Sequence, residues 1–457
     1  MTDTAPVRRA DLPPGPRLPY AVQGLRMLYA PEAFSDSCRR RYGDTYTLGV
    51  PRRPVTVWSS DPALARLVTR LPDEASTAAE WNAAAEFLWG PRSPFVVEGE
   101  EHRRTRRLVM PVLRGPRVLA RREEIGEAAR RAAAGWSREG PVRLLEEMRA
   151  LVLELMVRSV LGPGAGPVSG PGADPLASRV ARLTETLRRI TLGSLLLPWT
   201  RHVPGSAYGR VLRARRELAG CLEAASRARA GEGGGPGLLG DLVRARADGR
   251  LAGDALADQL IAFLLGGYAT TATALASAFD LLLHHPAALE RAEDEAAGGE
   301  GGEEGGGPWL EAVVRESLRL SPPAWVFGRV LREPVEFGRW RLPAGAWVAF
   351  DVLEMHRRAD ALAGLGGDPG AFRPERHLAR AADGRRCTGA VPSWHVFGGG
   401  GRVCPGASFA PFVVRTVLAA VLARVRLRPL RDRPGTLVRE STLLVVRDGV
   451  PVTVSDR

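Results

Sequence analysis

The chain has 457 residues, 45% of them hydrophobic, which is enough for a large core. Its 64 basic residues are all arginine and outnumber 51 acidic ones, for a formal charge of +13. They are spread along the whole chain, with no basic tail and no basic stripe interleaved with aromatics, which argues against a nucleic-acid partner and favours a basic face for an acidic protein.

The first twenty residues are polar and proline-rich, so no signal peptide or membrane anchor is expected there, and residues 1–15 read as flexible. Asp44–Val50 and Val55–Ser59 predict a hairpin. Apolar residues at helical spacing over 142–161, among them Leu145, Met148 and Leu155, predict a helix, and an arginine-rich amphipathic helix follows over Tyr208–Arg229. Gly253-Asp254 and Pro286 bound a helix from about Asp254 to His285, which would be about 48 Å long. Its uncharged stretch Leu260–Phe279 is long enough to cross a membrane, but its two glycines, its hydroxyl residues and the flanking Asp258 and Asp280 favour a core helix. Residues 297–308 read as a Gly/Glu loop. Strand signals recur at Val335–Trp340, at Trp347-Val348, and at Leu443–Val446 and Val450–Val454, where Asp448-Gly449 predicts a hairpin turn. The fold class is mainly α with a small β region, in one large domain.

Four cysteines (Cys38, Cys221, Cys387 and Cys404) form no C-x-x-C pair, which excludes a disulfide framework or zinc site and fits the reducing cytoplasm. Cys404 stands apart, in Phe397-Gly-Gly-Gly-Gly-Arg402-Val-Cys404-Pro-Gly406, a fit to F-x-x-G-x-R-x-C-x-G with Gly400 as the inner glycine. Glycines let backbone take positive φ and approach a large flat ligand. A helix opening just past Cys404 would favour the thiolate, the form a haem iron takes as axial ligand. Two phosphate-loop readings fail: no Lys-Ser or Lys-Thr follows, and G-x-G-x-x-G would need glycine at Val403.

With these residues the chain resembles the cytochrome P450 family, from about residue 12 to about residue 452. Glu316-Ser-Leu-Arg319 matches its E-x-x-R helix, and Phe372-Arg-Pro-Glu-Arg376 its F-x-P-x-R segment. Gly99-Glu-Glu-His102-Arg-Arg-Thr-Arg106 matches its G-x-x-H-x-x-x-R helix. Gly266-Gly267-Tyr268-Ala269-Thr270-Thr271 matches its oxygen-binding helix, with one departure: members usually carry an acid before the threonine, and this chain has Ala269. In the family that pair delivers protons during oxygen activation. Thr270 can still hold a water, and three outcomes stay open: another water path, involving Tyr268; poorly coupled turnover; or a reaction with a different proton demand. The glycine pair reads either as a distortion that admits dioxygen or as close helix packing.

The resemblance implies haem b (iron protoporphyrin IX) held by Cys404, with its propionates on His102, Arg106, Arg329 and Arg402. Phe397 would shield the thiolate, and Glu316, Arg319 and Arg376 would form a buried structural network. It further implies a monooxygenase that uses O2 and electrons from NAD(P)H, through a ferredoxin or flavodoxin and its reductase. A monomer without membrane anchor is expected. Candidate pocket positions are Trp81 to Phe95, Leu195 to Trp199, Phe263, Gly267, Trp325, Val326 and Leu444, mostly apolar as a hydrophobic ligand requires. The similarity of the Leu12-Pro-Pro-Gly-Pro start and of the run from His102 to Pro111 to bacterial members that oxidise fatty acids and terpenes implies a terpenoid or fatty-acid-like substrate. The rival expectation is a haem-thiolate enzyme of atypical chemistry, through oxidative coupling, peroxide use or rearrangement, owing to Ala269.

Overall fold

The computed structural model describes residues 11–50, 55–162, 165–166, 168, 172–188, 203, 205–231, 233–298, 306–358, 360, 367–380, 386–388, 394–440 and 443–457. The chain forms two compact units, each assembled from segments distant in sequence. Elements are numbered along the chain.

One unit comprises Met1–Ala84, Trp325–Pro369 and Pro392–Cys404. Its helices are α1 (Tyr20–Tyr29), α2 (Pro31–Tyr42), α3 (Pro62–Arg70), α4 (Ala79–Asn82) and α16 (Val352–Arg357). Five strands make its main sheet: β1 (Thr45–Leu48), β2 (Thr56–Ser59), β8 (Trp347–Asp351), β5 (Val326–Leu331) and β3 (Ser76–Thr77), in that spatial order. β2 and β8 run parallel, and the other neighbours pair antiparallel. Side chains alternate across this sheet. Val57, Val348 and Phe350 face a cluster with Leu64 and Val68 of α3. Trp58 and Ala349 face the other side, with Phe34, Tyr46 and Leu48. α3 starts where it does because Pro62 occupies its first turn and the Asp61 carboxylate accepts from Ala63 N at 2.7 Å.

The other unit comprises Ala85–Ala324, Gly370–Val391 and Pro405–Arg457. It holds α5 (Glu86–Trp89), α6 (Gly99–Leu113), α7 (Pro116–Leu119), α8 (Arg122–Gly135), α9 (Leu144–Leu161), α10 (Pro175–Arg188), α11 (Ala207–Ala230) and α12 (Gly237–Ala247). After these come α13 (Leu256–Leu283), α14 (Pro286–Ala296), α15 (Pro308–Leu320) and α17 (Phe409–Arg424). α13 is apolar all round and accordingly buried, with α9, α11, α15 and α17 packed about it. Its 28 residues span about 42 Å, two residues shorter at each end than the sequence predicts. Both α13 and the helix over Pro405–Arg424 are long and apolar enough to cross a membrane, yet most of each is buried in protein.

Three predicted elements differ. The run Val335–Trp340 is not one strand: Gly338, at φ 59°, turns it into a hairpin of β6 (Val335–Phe337) and β7 (Trp340–Leu342). The Asp448-Gly449 turn forms, but its flanks belong to separate sheets. β13 (Leu443–Val446) pairs with β12 (Leu437–Glu440), while β14 (Pro451–Asp456) pairs with β11 (Val425–Pro429) and β4 (Val142–Arg143). Val450, at φ 59°, swings the chain from one to the other. Finally, the α-helix expected just past Cys404 begins at Phe409, after a 3-10 turn over Pro405–Ala407.

Candidate active site

The cysteine loop is built by its glycines. Cys404 N donates to Phe397 O at 2.8 Å, closing the loop, and Gly398 N donates to His395 O at 2.9 Å. Gly398 and Gly400 take φ of 72° and 65°, the left-handed region that favours glycine. A Cβ on Gly400 would lie 1.7 Å from the Thr69 carbonyl oxygen, so this glycine lets the loop meet the last turn of α3. Cys404 is exposed and in no disulfide, and Phe397 is half-buried. Sequence reasoning missed Thr69, since nothing in its neighbourhood marks it as a contact of the loop.

Arg402, on the 3-10 turn Gly400–Arg402, sits 3.5 Å from the Asp73 carboxylate. Arg329, on β5, is buried and donates to Gly328 O at 2.8 Å and to Gly399 O at 3.4 Å. Burial and the neighbouring Arg402 charge lower its pKa to about 10, against the opposing pull of Asp73. A buried cation beside a second cation is an environment that welcomes an anion. An exposed cysteine on a glycine loop, in the same unit as two clustered guanidiniums, fits a haem with its thiolate ligand and propionates. His102 and Arg106 lie in the other unit, one turn apart on α6, with His102 buried.

α13 carries the second part of the predicted site. From Leu256 to Asp280 every residue is buried except Gly266, Gly267 and Thr270, which share one helix face. Thr270 Oγ1 donates to Gly266 O at 2.7 Å. Ala269 is buried and brings no proton. A Cβ on Gly267 would lie 2.4 Å from the Met156 terminal methyl of α9, so this glycine serves close helix packing. Gly266 faces the Phe95 ring, which packs tilted against Trp89 at 4.4 Å between centroids. Tyr268 turns away to Glu185 of α10, whose carboxylate accepts from its hydroxyl at 2.6 Å.

The structural network forms within one unit. Arg319 grips Glu316 with two hydrogen bonds of 2.7 and 2.8 Å. Arg376 Nε lies 3.4 Å from the same carboxylate, and Arg373 N donates to it at 3.0 Å. His377, absent from the sequence reading, is within 2.9 Å through Nε2. Burial pushes the Glu316 carboxyl up, but the bonds from Arg319 and His377 outweigh it and hold it down at about 2. Burial also lowers the His377 pKa, with Glu316 opposing. At the start of this helix the buried Glu295 accepts from Gly307 N, Trp309 N and Leu310 N, each at 2.9 Å.

The predicted pocket positions are divided between the units. Trp81, Trp325 and Val326 pack against the Trp58 cluster, and the Trp81 ring fills the space over Gly328, so all three contribute to packing. Phe263 and Leu444 are buried on α13 and β13, which pack together. Leu195 to Trp199 lie outside the described residues.

Comparison with known proteins agrees with this geometry. The family model described as cytochrome P450 matches residues 13–449. A Mycobacterium tuberculosis protein named cytochrome P450 135B1 is 34% identical over 91% of this chain and 85% of its own length. Another from that organism, cytochrome P450 137, is 32% identical over 90% of this chain and 83% of its own length. Among solved structures, cyanobacterial CYP120A1 with retinoic acid bound superposes with a TM-score of 0.81 at 23% identity, covering 98% of this chain and 100% of that one. A six-coordinated cytochrome P450 from Thermus thermophilus gives 0.66 at 23% identity, over 95% and 98%. With the family model matched over residues 13–449 and relatives above 30% identity across nine-tenths of its length, this chain belongs to the cytochrome P450 family.

Proposed function

We propose that this monooxygenase inserts one oxygen atom from O2 into a hydrophobic, terpenoid or fatty-acid-like small molecule, with Cys404 as the residue that would hold haem b. The observation that carries the reading is the gap in the burial of α13. Between Leu256 and Asp280 the helix is buried except at the half-buried Gly266, Gly267 and Thr270, and the Phe95 ring lies beside Gly266. The surroundings offered there are apolar, as a hydrophobic ligand requires.

Bound haem supplies the oxidising chemistry when O2 and two electrons are provided. The chain's own residues hold and orient it. The Cys404 thiolate would bind its iron, and Arg329, Arg402, His102 and Arg106 would neutralise its propionates. Thr270 Oγ1 carries a proton that it places on Gly266 O in this structure and could hand to an ordered water. With Ala269 unable to pass protons, ordered water has to supply them. Electrons would come from NAD(P)H through a ferredoxin or flavodoxin and its reductase.

An optical titration of the ferric holoenzyme with fatty acids, sesquiterpenes, diterpenes, retinoic acid and aromatic polyketides tests the substrate class. A saturable low-to-high-spin shift confined to the isoprenoids or fatty acids is the expected result. A shift with polyketides alone overturns it. The rival of atypical chemistry rests on Ala269, and oxygen-18 from O2 appearing in the product would eliminate it.

A further inference from the structure

Tyr268 is the motif residue that this function leaves unused. It lies two positions before Thr270, about 200° away round the helix, so it cannot serve the same face. Its bond to Glu185 is instead the inner end of a chain of polar contacts. Glu185 also accepts from Arg188, one turn on along α10, through two hydrogen bonds of 2.7 and 2.9 Å. Arg188 reaches Glu440 at 2.5 Å, and the other Glu440 oxygen accepts from Arg149 of α9 at 2.6 Å. Arg149 ends the chain on Glu146 at 2.8 Å. Four elements are thereby joined: α13, α10, β12 and α9.

Exposure identifies the member on which the chain depends. The Arg149 and Arg188 side chains are 9% and 11% exposed, Glu185 23%, and Glu440, the last residue of β12, 42%. An isolated exposed pair contributes little, but here two nearly buried guanidiniums share one carboxylate. Without it, among the described residues, Arg188 would keep only Glu185, and Arg149 only the exposed Glu146, so the link between them would be lost. The hairpin that bears Glu440 also bears Leu444, which packs with α13.

We propose that Glu440 is a positioning residue: its two ion pairs lock the β12–β13 hairpin to α9 and α10 and, through Arg188 and Glu185, hold α10 against Tyr268 of the central helix. The hairpin and α10 then loosen together. The lock stands on geometry alone. Its consequence, that Glu440 sets how readily these elements part for a hydrophobic substrate, rests on the function proposed above.

Hydrogen exchange of the holoenzyme, read by mass spectrometry, tests the lock without any substrate. Glu440→Gln should speed exchange at least about 5-fold both in 437–446 and in 181–188, and Tyr268→Phe should speed 181–188. In the double variant the gain in 181–188 should be smaller than the product of the two single gains. Arg130→Gln, which removes only exposed pairs on α8, should leave both segments unchanged. Exchange confined to 437–446, or single effects that multiply, would overturn the proposal. Should Glu440→Gln fail to fold, Arg188→Gln breaks the same chain between Glu440 and Glu185: it should speed exchange in both segments, and an unchanged 437–446 would refute the lock. Failure of the substrate reading shows in the optical titration and leaves these exchange results untouched.

Discussion

Glu316 lies at the centre of a buried network of cations. Two arginines, a histidine and a backbone N–H converge on one fully buried carboxylate. Glu316→Gln leaves Arg319 buried without its counter-charge and should cost about 3–5 kcal/mol, seen as a large fall in Tm or as failure to retain haem. The pH dependence follows from two lowered pKa values. The Glu316 carboxyl is held at about 2 in the fold, so its contribution is complete above about pH 4.5 and is lost as pH falls from there towards 2. His377 is also shifted down, from 6.5, so the unfolded chain takes up its proton first and stability starts to decline as pH drops below about 6.5. Both act in the same direction. His377→Gln should flatten the decline that begins below about pH 6.5 in a series of thermal melts, and an unchanged slope would place its origin elsewhere. Ala269 is the opposite case, a residue whose importance lies in what it lacks.

Among the elements, the cysteine loop and α13 show two different uses of glycine. Gly400 has positive φ and a carbonyl oxygen in the way of any Cβ, so neither backbone nor neighbour can yield. Gly400→Ala should destabilise the loop by about 1–3 kcal/mol and lower haem occupancy in the purified protein. Gly267→Ala meets only the flexible end of Met156 and should cost less. Equal losses in the two variants would contradict this. The same contrast explains what could be read in advance. Cys404, Glu316, Arg319 and Thr270 sit in patterns of fixed spacing, so a single sequence is enough to single them out. Asp73, Thr69, His377 and Glu440 reach their partners only through chain reversal, and no local pattern marks them. The Asp448-Gly449 turn was legible for its chemistry, but the partners of its flanking strands depend on distant segments.

At the scale of the whole molecule, each unit is woven from three segments, and the boundary after Cys404 hands the chain from one unit to the other. Helical periodicity along 142–161, 208–229 and 254–285 made the mainly helical class legible, whereas division into two interleaved units follows from long-range contacts that periodicity does not encode. The net charge of +13 acts at this scale too. An acidic ferredoxin should be drawn to the protein from beyond contact distance, so its rate of reducing the haem should fall steeply as salt rises from about 0.05 to 0.5 M. A rate indifferent to salt would exclude charge-guided docking.

The central claim is that Cys404 supplies a thiolate to haem iron. The absorption spectrum of the reduced protein with carbon monoxide tests it most directly, compared between the unaltered chain and Cys404→Ser. The unaltered chain should show the strongly red-shifted thiolate band and Cys404→Ser should lose it, with helix content unchanged by circular dichroism. A thiolate band that survives in Cys404→Ser would contradict it.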